Sequence, residues 1–544
     1  MIVKLKSLLY PEKKGLMFIY LTISGILSGL CMTFPTAFGA VIEWLSLVPA
    51  AIVLCNACRI RVSLKKAYGG SFWLIYSQHL IVYHWFVSFY PLDFTGMTKP
   101  AAAGVVFIAI FGLSLLAAVF SGFLGIIVVA SARFKCTERF PILLPFLAAS
   151  AYVLNEWIRT QFWFGVPWSR LSLGQLTNGV PFTVLSSSFL GTYFVSFLIA
   201  LVSFLVGQAL YTGKVKLRFI IAASLIVGNL VGGVIIANLP TAEKTTLTVA
   251  AIQGNINSRD KWEGSKTAVN IFKTYYNLTV EAAEEGAQLI VWPETSLPDN
   301  YFIPHLQDLC KEYEVYLLFG TFDFNEDDEP GNALYLISPD GNLSDNIYLK
   351  RHLVPFGEYV PMRDLIMTVF PPLGEIAMLE YDLLPGDDSN IFTIEIEGVE
   401  INIGGLICFD SIYEELAYDS AADGADMICV STNDSWFEDS RAVYMHCAQS
   451  RLRAIEMGLP IVRAANTGIS TVITERGEVL EILEPLVKGY VISEIPIPDA
   501  VSDAGDVNSI FLWLMILILY IPIFAESLAR LSRKKKMNSH GLLT

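Results

Sequence analysis

Long apolar runs separated by short polar loops fill the first 239 residues, near 16–35, 38–58, 70–91, 101–131, 140–157, 182–210 and 218–239, and one more lies near 508–529. A helix needs on the order of 20 apolar residues to cross a bilayer, so these runs predict eight membrane-spanning helices. The 101–131 run is long enough to contain a break. From 240 to 507 the pattern changes. Short apolar stretches at 246–252, 288–292, 315–320, 333–337, 401–407, 426–430 and 460–464 predict strands. Segments at 264–285, 301–313, 411–422 and 441–457 predict helices between them. "SPDGN" (338–342) and "IEGVE" (396–400) read as hairpin turns through their glycines. Strands alternating with helices predict a layered α/β domain with buried sheets.

Charge divides the chain at the same places. From Leu239 to Asp506 there are 15 Lys and Arg against 46 Asp and Glu, whereas the remainder holds 22 against 6. So acidic an outer domain excludes nucleic acid as a partner, because phosphates reward clustered basic residues. The N-terminus, the loops 59–66, 132–139 and 211–218, and the tail from Arg530 carry 19 Lys and Arg, while the alternate loops hold only Lys99, Arg159 and Arg170. Positive loops stay inside. Both termini are therefore expected in the cytoplasm and 240–507 outside; in a bacterial inner membrane, outside is the periplasm. The first run is longer than a signal-peptide core and is followed at once by other spans, which predicts an uncleaved anchor. The expected organisation is a membrane domain of seven helices at 1–239, an extracytoplasmic domain at 240–507, a final span at 508–529 and a basic cytoplasmic tail at 530–544.

Eight cysteines are scattered without a repeating spacing, which is no disulfide framework. Cys55 and Cys58 form a lone C-x-x-C at the end of an apolar run, better read as helix packing than as a zinc or redox site. No metal-ligand motif is present, so neither metal nor cofactor is expected. The loop at 156–181, "EWIRTQFWFGVPWSRLSLGQLTNGVP", is rich in Trp and Phe and falls on the outer side. Composition favours an interfacial aromatic belt, with a substrate-holding rim as the other reading.

Three candidates for chemistry stand at strand ends, where α/β proteins keep their sites. Glu294 follows Trp292-Pro293 after "QLIV", Lys350 closes an alternating run with Glu358 eight residues later, and Cys408 ends "INIGGLI". Each alone has an ordinary reading: core thiol, surface cap, solvated lysine. His352 and His446 invite pairing with the cysteine, but no spacing singles either out.

Taken together and in order, "VAAIQGNINSRDKW", "IVWPETSLP", "YLKRHLVPFGEYVP", "GGLICFD" and "NDSWFEDS…QSRLRAIEMGLPIVRAANTGIS" resemble the nitrilase (carbon–nitrogen hydrolase) superfamily. With eight spans and "FGVPWSRLSLGQ" in the membrane part, the chain is most similar to the branch that completes bacterial lipoproteins. The resemblance implies an αββα sandwich in which Glu294 is the general base, Lys350 the electrostatic helper and Cys408 the nucleophile. Glu358 matches a second essential carboxylate, and Trp262 and Trp168 match aromatic positions on the substrate path. Phe409 and Asp410 stand where the family has Tyr and Glu; they fall to second-substrate binding. Glu438 stands where glycine is usual. The implied reaction moves an acyl chain from a phospholipid through a Cys408 thioester to the N-terminal amine of a diacylglyceryl-cysteine lipoprotein. A membrane-tethered amidase or a paralogue acylating another amine are the alternatives, and a monomer is the expected state.

Overall fold

The computed structural model describes residues 14–34, 36–55, 62–92, 98–161, 165–176, 182–212, 215–257, 265–369, 382–499 and 507–540. Trp262 lies outside them.

Helix forms in every predicted apolar run: α1 Lys14–Thr33, α2 Ala37–Ser46, α3 Val48–Leu54, α4 Leu64–Val82, α5 Lys99–Ser131, α6 Leu143–Ile158, α7 Thr192–Thr212 and α8 Val215–Ala237. The second run is split in two. Pro49 falls in the first turn of α3, where its missing N–H leaves no hydrogen bond unmade. The 33-residue α5 is continuous, so the break its length allowed is not there. Its Gly125 brings it against α4: a Cβ at that position would lie 2.1 Å from the Ala67 carbonyl oxygen. The run at 182–210 becomes a long helix only at Thr192, because Gly191 at φ +76° ends a short turn before it. Among the described residues, five helices are long and apolar enough to cross a membrane, while Phe38–Leu54 and Leu143–Ile158 are shorter apolar segments.

The remainder is a two-sheet sandwich. One six-stranded sheet has the order β12-β1-β2-β3-β4-β5, and the other β11-β10-β9-β8-β7-β6. The strands are β1 Glu243–Gln253, β2 Leu289–Val291, β3 Tyr316–Phe324, β4 Pro330–Ile337, β5 Tyr348–Leu349, β6 Phe392–Ile396, β7 Val399–Ile407, β8 Met427–Thr432, β9 Ile461–Ala465, β10 Ser470–Ile473, β11 Val479–Leu483 and β12 Gly489–Pro498. In each sheet three neighbours are parallel, β1-β2-β3 and β7-β8-β9. Parallel strands covered on both faces need continuous apolar runs, which "LIV" and "MICV" supply. Val249, Leu289, Leu318, Ile403, Cys429 and Val462 fill the space between the sheets. Each such buried side chain contributes about 1.5–3 kcal/mol relative to exposure.

Helices α9 Ser265–Glu284 and α10 Ile303–Tyr313 cover the first sheet; α11 Glu414–Ala422 and α12 Arg441–Met457 cover the second. This second helical layer shares its core with the membrane part: Met445 and Leu452 belong to the same buried cluster as Leu144, Leu171 and Tyr193. Polar bonds cross the same junction. The Tyr413 hydroxyl donates to the Gly165 carbonyl (2.9 Å), the Gln449 amide to that of Pro167 (2.9 Å), and buried Arg170 pairs with Glu414. The aromatic loop is thus seated on the two-sheet domain. The last helix, α13 Val507–His540, follows β12.

Candidate active site

Each of the three strand-end residues is held by its own local geometry. Trp292, completely buried, donates its indole N–H to Thr279 (2.7 Å), and its carbonyl accepts from Ser431 (2.8 Å). This fixes the turn through Pro293 that places Glu294 at the rim. Gly320 makes room for that turn, since a Cβ there would lie 2.9 Å from the Glu294 Cα. Glu294 Oε1 accepts from Lys350 Nζ (3.0 Å) and Asn332 Nδ2 (2.7 Å), and Oε2 from the Asn433 backbone N–H (2.8 Å).

Lys350 leaves β5 with its N–H donated to the Asn332 carbonyl (2.8 Å), and its side chain is 1% exposed. Nζ bridges Glu294 and Glu358 Oε1, the latter at 2.7 Å. Glu358 is anchored in turn by the Val354 N–H (2.8 Å). Burial works against a charged lysine, but Glu294 and Glu358, with lesser help from Cys408 and Asp410, hold its pKa well above the ordinary lysine range. The ammonium is therefore a fixed positive charge between two carboxylates.

Cys408 follows β7 with φ +50°, a left-handed conformation unusual for a residue with a Cβ. Three donors converge on Asp410 to hold this elbow. Its Oδ2 accepts from the Ile407 N–H (3.1 Å) and the Tyr348 hydroxyl (2.9 Å), and Oδ1 from the His352 N–H (2.7 Å). Burial pushes the Asp410 carboxyl up to about 6, with Lys350 pulling the other way. Burial also raises the Cys408 thiol; Glu294 adds to this and Lys350 opposes it. A thiol raised in this way is protonated at neutral pH. Asp410 is completely buried and engaged on both oxygens, a placement suited to holding the elbow rather than meeting a second substrate. Asp410→Asn turns an NH2 toward one of these donors. It is expected to cost about 1–3 kcal/mol and to slow Cys408 alkylation by iodoacetamide; equal stability and alkylation would refute that role.

A fourth group lies behind the elbow and was not assembled by reading the sequence. His446 Nδ1 faces Asp434 Oδ1 (2.9 Å), and Nε2 sits 3.1 Å from both the Cys408 carbonyl and Ser411 Oγ. Arg463 donates to Asp434 Oδ2 (2.8 Å). Burial opposes the Asp434 charge, but His446 and Arg463 outweigh it and lower the carboxyl well below its usual range. His446 thus meets the main chain of Cys408. His352 instead stacks on Tyr413, ring centroids 3.7 Å apart, and burial, then Lys350, lowers its pKa to about 4. The available signal was "TNDSWF", a polar cluster at the end of β8, a further strand end beside the other three.

The substrate-path residues are partly placed. Phe409 is half-buried, with its ring 5.4 Å from Tyr413. Trp168 is buried between Trp85 (5.3 Å), Phe437 (6.1 Å) and His446 (6.0 Å). Glu438 has φ +47° and ψ −136°, a conformation that favours glycine. Among the described residues no cluster of His, Cys, Asp and Glu is arranged to hold a metal.

The two-sheet sandwich carries Glu294, Lys350 and Cys408 at its strand ends, and residues 248–504 match the carbon–nitrogen hydrolase family. Residues 24–205 match the apolipoprotein N-acyltransferase N-terminal domain. The apolipoprotein N-acyltransferase of Allorhizobium ampelinum is 30% identical over 403 residues, 71% of this chain and 73% of that protein. That of Brucella melitensis is 30% identical over 410 residues, 72% of this chain and 73% of that protein. Among solved structures, the NitN amidase from Neterenkonia sp. AN1 has 17% identity and a TM-score of 0.36, covering 48% of this chain and 95% of that one. The chain belongs to the apolipoprotein N-acyltransferase family.

Proposed function

We propose that this enzyme transfers an acyl chain from a phospholipid to the N-terminal amine of a diacylglyceryl lipoprotein, through a thioester on Cys408. The observation that carries the reading is the meeting of Glu294, Lys350 and Cys408 on a domain whose helical layer is continuous with membrane helices. Glu294 takes the thiol proton as sulfur attacks the ester carbonyl. Lys350 stabilises the tetrahedral oxyanion, and Glu294 returns the proton to the departing lysophospholipid oxygen. The lipoprotein amine then attacks the thioester, gives a proton to Glu294, and the C–S bond breaks with that proton returned to sulfur. Glu358 holds the ammonium in place from its far side.

The loop charges support a placement in the bacterial inner membrane, with 1–239 and 508–529 spanning it, 240–507 in the periplasm and 530–544 in the cytoplasm. Two lipid-anchored substrates then reach one site without leaving the leaflet. The test is mass spectrometry of the purified protein incubated with phospholipid, followed by diacylated lipopeptide. An acyl adduct on Cys408 that disappears as triacylated peptide forms is the expected result. An adduct that decays only to fatty acid makes the enzyme a hydrolase, and no adduct removes the thioester route.

A further inference from the structure

A cavity of about 370 Å³ opens between the catalytic domain and the His84–Phe89 turn that directly follows α4. That volume holds roughly a dozen waters at about 30 Å³ each, the scale of a headgroup. Its lining is mostly polar, with His84, Ser88, Asp439, Ser440 and Arg441 around a wall formed by Trp85.

The cation of this cavity is Arg441. Arg441 is exposed, and its guanidinium lies over the rings of Phe34 (4.8 Å) and Tyr444 (5.3 Å). Asp439 lines the same cavity. The Asp439 carboxylate is engaged by the Tyr444 hydroxyl. Trp85 is 5% exposed, and its indole nitrogen is buried rather than open to the cavity. The other polar groups are already engaged: His84 Nδ1 donates to the Ile81 carbonyl (2.7 Å), Ser88 Oγ to that of Trp85 (2.8 Å), and Ser440 Oγ accepts from the Ala442 N–H (3.3 Å). The cavity thus offers a guanidinium lying over two aromatic rings, beside the Ser440 hydroxyl and the His84 ring. Such a fork suits a phosphate diester, which presents two oxygens in one plane.

Place and continuity narrow the source. The turn carries Val87, 61% exposed, and is followed by Tyr90, 45% exposed, so apolar surface adjoins the cation as it does at a headgroup boundary. The Trp85 ring packs 5.1 Å from Phe437, Phe437 packs 6.1 Å from His446, and His446 touches the Cys408 carbonyl. Cavity and nucleophile therefore share one aromatic wall.

We propose that this cavity binds the phosphodiester of the acyl-donor phospholipid, with Arg441 as the contacting cation. The proposal rests on the acyl-transfer reading above and adds where the donor's headgroup sits. Arg441→Gln should raise KM for phospholipid about tenfold, the loss of one charge-assisted contact, with kcat nearly constant. With a p-nitrophenyl ester of the same fatty acid, which carries no phosphate, the acylation rate should change by less than about twofold. Arg441→Lys should recover part of the loss.

Inorganic phosphate separates the sources. Competition with phospholipid that disappears in Arg441→Gln means a bare phosphate suffices; no competition means the group must arrive on a lipid; both support the cavity. An unchanged phospholipid KM in Arg441→Gln, or an equal loss with the p-nitrophenyl ester, overturns the proposal alone. A wild-type protein that is acylated by neither donor overturns the acyl-transfer reading and this proposal with it.

Discussion

Cys408→Ala is expected to carry no acyl adduct and to lose at least about 10³-fold in acyl transfer, the scale seen when a covalent nucleophile is removed. Its thermal unfolding should remain within a few degrees of wild type. The asymmetry follows from how the elbow is held. Asp410 fixes it through the Ile407 and His352 N–H groups and the Tyr348 hydroxyl, and Ser411 and His446 lie against the Cys408 carbonyl. None of these contacts uses the thiol. The left-handed backbone at φ +50° is disfavoured by any Cβ, and alanine keeps that Cβ, so strain is unchanged. Alanine removes a single sulfur atom, which keeps the cavity cost small. Triacylated product persisting in this variant at more than about one part in a hundred would end the nucleophile assignment. A large fall in melting temperature would make lost activity uninformative, and Cys408→Ser then serves, since it restores the shape with a weaker nucleophile.

How much of this was readable in advance depended on whether a feature was local. The central strands were legible because both faces are buried and the sequence is apolar throughout, as in "LIV" and "MICV". Helices Ser265–Glu284 and Arg441–Met457 fell within a residue of their predicted ends. Strands β10 to β12 were not expected. β11 has no fully buried position, and β12 mixes exposed and buried positions while pairing along β1, more than 200 residues away in sequence. No local window contains that partner. The same divide runs through the site. Glu294, Lys350 and Cys408 are marked by strand ends, and the resemblance ordered them. Asn332 lies inside a strand, and its role shows only when β4 and β5 pair and its amide meets Glu294 and Glu358. His446 looked like a partner for the thiol, but helix α12 delivers it to the main chain. Asp410 stands where the resembled family has Glu, and the resemblance implies a substrate contact. A 3-10 turn immediately after Cys408 carries it inward instead.

Lys350→Met should do more damage than its size suggests, because it strands two carboxylates. In the wild type one ammonium, 1% exposed, lies 3.0 Å from Glu294 and 2.7 Å from Glu358. Removing one member of a buried ionic group costs about 3–5 kcal/mol, since the remaining charges keep their desolvation penalty and lose its compensation. Here they also repel each other, and Asn332 alone still donates to both. Acyl-enzyme formation should fall by about 10²–10³-fold from loss of the oxyanion's positive neighbour. The pH dependence separates this from simple misfolding. Lys350 is held above the ordinary lysine range, so its stabilisation is fully present at neutral pH and is lost only as pH rises through that elevated value. In the variant, acid supplies the missing positive charge. One of the two glutamates takes up a proton as pH falls, and the repulsion disappears. The stability gap between Lys350→Met and wild type should therefore narrow from pH 7.5 to pH 5, while acylation stays about 10²–10³-fold below wild type, because a proton on a carboxylate does not restore the cation beside the oxyanion. Thermal unfolding in detergent at both pH values measures the gap, and the mass-spectrometric adduct measures the chemistry. A gap that is constant with pH would mean that the lysine acts by packing, and an adduct at near wild-type rate would remove it from the reaction.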